Sequence, residues 1–104
     1  MTELENYLPQ TELLAQLAEE SSELSQAALK LRRALDNTNP TPMSIAECEE
    51  NLIEEAADVL LCLYVCGFDT DAFSHTGKRM LGIGKEKFDR WVNRLEALNA
   101  ERNG

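Results

Sequence analysis

Eight consecutive residues, Val59 to Cys66, carry no charged side chain, and they close a segment whose apolar residues recur with helical spacing. A helix that is apolar on every side has no face to give to water, so whatever fold this chain adopts must cover that half-helix all round. The run is far short of the roughly 18 residues needed to span a bilayer, so the cover has to be protein. With 104 residues the chain has room for one small domain with a thin core, and self-association into a larger helical bundle is the economical solution.

The rest of the chain is punctuated like a helical protein. From Thr11 to Leu35 the residues Leu13, Leu17, Leu24, Ala28, Leu31 and Leu35 step by threes and fours with no Pro or Gly, which is the period of an amphipathic helix. Two prolines and five competing polar side chains from Asp36 to Pro42 then mark a loop. Ser44 with Glu47 three residues later forms a capping-box pattern, opening a second helix through Leu52, Ile53, Ala56, Val59, Leu60 and Leu63 to a stop near Gly67. Asp69, Thr70 and Asp71 offer N-caps for a third helical region, weakened or broken by Gly77, Gly82 and Gly84, which continues through Phe88, Trp91, Val92, Leu95 and Leu98. No strand alternation or internal repeat is present. The expected class is therefore all-α, a single domain over 1–104 with ends fraying at about 1–8 and 99–104, its helical bundle completed by homo-oligomerisation.

Charge narrows the function. Nineteen acids against ten Lys and Arg give a net charge of -9, which repels a phosphate backbone and argues against nucleic-acid binding. The signs are also segregated: no base precedes Lys30 or lies between Arg33 and Lys78, whereas Lys78, Arg79, Lys85, Lys87, Arg90 and Arg94 crowd the last third. That separation suggests cations gathered for an anionic ligand. Three cysteines, two of them inside the apolar run, do not make a disulfide framework, and Met1 to Gln10 lacks a signal-peptide pattern, so a cytoplasmic protein with reduced thiols and no membrane association is expected.

On a helical wheel Glu20 falls inside the apolar stripe of the first helix and Glu23 at its edge, while Glu19 points elsewhere. A glutamate in such a stripe loses hydration without recompense unless it is paired or binds a cation, a problem that Glu3, Glu5 and Glu12 do not pose. The second helix repeats the arrangement with Glu55 and Asp58. Two helices, each with inward carboxylates at i and i+3, can together present four oxygen ligands to a hard cation such as Mg²⁺, with polyphosphate oxygens completing the shell.

These residues resemble the MazG-like, all-α nucleoside triphosphate pyrophosphohydrolase family. Glu19-Glu20-Ser21-Ser22-Glu23 and Glu54-Glu55-Ala56-Ala57-Asp58 match its E-E-x-x-E and E-x-x-D elements, separated by a loop as in the family, and the segment from Ile83 to Arg94 matches its basic third-helix region more loosely. The resemblance implies Mg²⁺-dependent cleavage of a (d)NTP into (d)NMP and pyrophosphate, a nucleotide-pool house-cleaning activity, with Mn²⁺ able to substitute. By the same carry-over Glu20, Glu23, Glu55 and Asp58 hold the metal, Glu20 or Glu23 handles the attacking water, and Lys87, Arg90 and Arg94 bind the phosphates. Trp91, at a position where related chains often carry a polar residue, is either a stacking partner for the base or a core residue. The family is dimeric or tetrameric, in keeping with the uncovered apolar run. A phosphoribosyl-ATP or dUTP pyrophosphatase is a neighbouring possibility within the resemblance.

The alternatives differ in kind. The acids can instead decorate a non-enzymatic helical oligomer, an interaction module, and magnesium binding separates the two. Gly82-Ile83-Gly84-Lys85 lacks the spacing and preceding strand of a phosphate loop, and Cys48, Cys62, Cys66 and His75 lack zinc-knuckle spacing.

Overall fold

A computed structural model describes residues 7–38 and 42–103, so residues 1–6 of the expected N-terminal end and residues 39–41 of the expected proline loop lie outside it. Among the described residues all regular structure is helical: α1 (Gln10–Asp36), α2 (Ile45–Val65) and α3 (His75–Asn103). None of them is long and apolar enough to cross a membrane. The chain divides into two compact units, Met1–Phe68 and Asp69–Gly104.

In the first unit α1 and α2 pack against each other as an antiparallel pair. Pro9 opens α1 without a side-chain cap, its carbonyl accepting from the Glu12 and Leu13 amides. Asn37 ends the helix in the left-handed conformation (φ 55°), its N–H donating to the Arg33 carbonyl at 2.9 Å. The start of α2 follows the sequence pattern: the Ser44 hydroxyl accepts from the Glu47 amide, and the Glu47 carboxylate accepts from the Ser44 amide, both at 3.1 Å. At the other end Gly67 takes φ +93°, a conformation that glycine adopts without steric cost.

Leu13, Val65 and Cys66 form the buried cluster, with Leu17 against it. Beside it the Gln10 side-chain amide donates to the Cys66 carbonyl at 3.2 Å, joining the first turn of α1 to the end of α2. Ala27, Cys48 and Cys62 are also buried, and all three cysteines are free thiols. The stripe read from sequence is narrower in fact. Ala28 and Leu35 on α1, and Ile53 and Leu60 on α2, are exposed. The reason is that an antiparallel pair covers only one face of each helix, so the outer half of an apolar run stays uncovered. Within Val59 to Cys66 the residues Leu60, Leu61 and Tyr64 are left outside.

The second unit corrects the sequence expectation in two places. Its helix is capped by Ser74, whose hydroxyl accepts from the Gly77 amide at 2.9 Å, whereas Asp69 and Asp71 shape the preceding turn by accepting from the Asp71 and Phe73 amides. The glycines do not break α3 either. Each costs about 1 kcal/mol relative to Ala, too little to interrupt a ladder continuing on both sides, so the helix runs to Asn103, beyond the fraying expected from 99. Gly82-Ile83-Gly84-Lys85 is thus mid-helix and forms no loop. Gly77 has a separate reason for being glycine: a Cβ there would lie 1.8 Å from the Asp71 carbonyl oxygen. Leu81, Phe88, Trp91, Leu95 and Leu98 form an exposed apolar stripe with steps of seven, three, four and three.

Candidate functional site

The antiparallel pairing of α1 and α2 brings the two acidic motifs level. Glu20, Glu23 and Glu55 each place a carboxylate oxygen within 4.8 Å of the others. Glu20 and Glu55 are half-buried and Glu23 is exposed. Oε2 of Glu20 and Oε2 of Glu55 are buried without a hydrogen-bond partner, an arrangement that wastes hydration unless a cation replaces the water. Asp58, the fourth expected ligand, is outside this triad. It is exposed, lines a cleft together with Glu20, and adds to the negative field on it.

That cleft has a volume of about 400 Å³ and runs beside the triad towards the buried cluster. Leu8, Leu13, Leu61, Cys62 and Val65 make its apolar part, and Glu12, Gln16, Glu20 and Asp58 its polar part. Gln16 donates its amide to Glu20 Oε1 at 2.9 Å. This bond favours the charged form, but desolvation and then the nearby carboxylates of Glu23 and Asp58 outweigh it and raise the Glu20 pKa from its ordinary value. Burial pushes the Cys62 thiol up as well, with Glu20, Cys66 and Asp58 adding to it. Cys62 therefore stays protonated and contributes to the cleft as an apolar wall.

Two residues here went unread in the sequence. Gln16 was detectable, since it precedes Glu20 by one turn at the i,i+4 spacing of a Gln and acid pair. Glu12 was not: it looked like an ordinary surface acid and lines the cleft only because α1 begins close to the end of α2. The expected phosphate-binding residues Lys87, Arg90 and Arg94, with Trp91, belong to the second unit. They lie within two turns of α3 on one side of it, all exposed, Trp91 included at 61%.

No protein-family model, curated protein or solved structure matches this chain. The site is read from its own chemistry. An all-oxygen donor set of close, partly dehydrated like charges is of the kind that suits a hard divalent cation, and a largely apolar cleft lies beside it.

Proposed function

We propose that the chain is a Mg²⁺-dependent nucleoside triphosphate pyrophosphohydrolase of the MazG-like kind, converting (d)NTP to (d)NMP and pyrophosphate. The observation that carries this reading is the pair of buried, unpartnered oxygens on Glu20 and Glu55, drawn from two helices and completed by Glu23. The donors fit the cation, since every available ligand atom is a carboxylate oxygen and the neighbouring Cys62 thiol is held protonated. Bound there, Mg²⁺ would supply Lewis-acid polarisation of the phosphate oxygens and lower the pKa of water.

The side chains divide the remaining work. Glu20, Glu23 and Glu55 would hold the ion, with Asp58, beside Glu20 in the cleft, as the fourth ligand that the resemblance implies. Glu20 or Glu23 orients the attacking water and accepts its proton. By the resemblance, Lys87, Arg90 and Arg94 of the second unit would bind the phosphates, and Trp91 would stack on the base if the assembly leaves it uncovered. The cleft between Leu8 and Val65 accepts the less polar part of the substrate. The exposed stripes on α2 and α3 support assembly into a homodimer or homotetramer, because two such faces left in water favour association.

The same stripes favour a second reading, a non-enzymatic interaction module whose acids only confer solubility. Titration calorimetry with Mg²⁺, alone and with a nonhydrolysable nucleotide, decides between them, followed by a screen of all (d)NTPs with the product identified as pyrophosphate or orthophosphate. An absence of Mg²⁺ binding in both titrations excludes the enzyme and leaves the module.

A further inference from the structure

We infer that Gln16 is a positioning residue for the candidate metal centre: by engaging Oε1 of Glu20 it reserves Oε2, the buried oxygen, for the cation. This rests on the metal reading above. A glutamate on a helix has two equivalent oxygens and several rotatable bonds, so an unrestrained Glu20 would offer either oxygen in many orientations and lose that freedom on binding. In this chain the two oxygens are already distinguished. Oε1 accepts the Gln16 amide at 2.9 Å, and Oε2 is buried with no partner.

Hydrogen-bonded partners behind a ligand commonly orient it in this manner. Gln16 also lines the same cleft as Glu20, so its amide belongs to the wall of the site. The competing explanation is an ordinary Gln and Glu pair one turn apart, which supports the helix and nothing else. The two accounts separate cleanly. Helix support shows as a loss of metal-free stability with affinity unchanged, whereas positioning shows as a loss of affinity that exceeds any loss of metal-free stability.

The test uses the full chain and Mn²⁺ as the probe, with calorimetry for affinity and melting in EDTA for metal-free stability. Gln16→Met preserves length and helix preference while removing the donor, Gln16→Ala removes the side chain, and Gln26→Met on an exposed part of α1 is the control. Both Gln16 variants are expected to weaken Mn²⁺ binding about threefold to tenfold with no matching fall in metal-free melting temperature, and Gln26→Met to change neither. Unchanged affinity in the Gln16 variants, or affinity lost only in step with metal-free stability, overturns the inference while leaving the metal centre standing. If the unaltered protein binds no Mn²⁺, the metal centre falls and the role of Gln16 with it.

Discussion

Oε2 of Glu20 on α1 and Oε2 of Glu55 on α2 are both buried, and neither accepts a hydrogen bond. The helices that pack to make the core of the first unit therefore also force like charges together, and Glu23 adds a third carboxylate within 4.8 Å. Without a cation this is a local opposition to folding.

A divalent cation should relieve it. Because an ion that binds only the folded chain stabilises it by mass action, Mg²⁺ or Mn²⁺ at a hundred times its dissociation constant should add about 2.7 kcal/mol to unfolding. Thermal melting with metal and then with excess EDTA measures this, and Glu20→Gln or Glu55→Gln should remove most of the shift.

The pH dependence of the metal-free protein has a definite sign. The Glu20 pKa is raised from the ordinary value of 4.5, so the folded chain binds this proton more tightly than the unfolded one. Its contribution is complete below pH 4.5 and disappears as pH rises through the folded-state value. At neutral pH Glu20→Gln should thus melt above the unaltered protein, with the gap closing on acidification towards 4.5. A gap that widens on acidification contradicts the assignment.

Catalysis should separate the acids from the bases. Glu20→Gln and Asp58→Asn are expected to abolish most Mg²⁺-dependent turnover. Glu50→Gln, exposed and outside both motifs and the cleft, is the suitable control, since Glu12 lines the cleft. Lys87→Ala and Arg94→Ala should lower kcat/KM by about twofold to tenfold, roughly 0.4 to 1.4 kcal/mol, and leave bare Mg²⁺ affinity nearly unchanged.

Two glycines on one helix should respond to alanine in opposite directions. Gly82 has open space where a Cβ would go, so Gly82→Ala should stabilise the chain by about 0.5 to 1 kcal/mol. Gly77→Ala drives a methyl into the Asp71 carbonyl and should cost about 1 to 3 kcal/mol. Urea titration of both variants reads the difference.

Association should depend on the exposed stripes. Light scattering is expected to find a dimer or tetramer, and Leu60→Lys or Trp91→Lys should shift it towards monomer. A folded, active monomer at micromolar concentration contradicts the oligomer.

Helix number and the α2 start were legible because they depend on local chemistry: the Ser44 and Glu47 bonds involve residues three apart, and the leucine spacing of α1 is its own signature. Glu20, Glu23 and Glu55 were legible for a similar reason, as acids placed at or near apolar stripes. The exposure of Leu35, Ile53 and Leu60 was not, because periodicity identifies a face suited to burial without supplying a neighbour to bury it. The role of Ser74 was hidden behind Asp69 and Asp71, which are equally good caps in composition and were chosen against by the turn they build. Glu12 became part of the cleft only through helix pairing, which no local pattern encodes.

The clasp of Gln10 on the Cys66 carbonyl, beside the Leu13, Val65 and Cys66 cluster, lies at the end of the helix pair opposite the connection from Asn37 to Ser44. The two helices are thus aligned from the far side, where their termini meet, and the carboxylates inherit that alignment. The spacing of Glu20 and Glu55 is thus held in part by a contact between residues 56 apart in sequence.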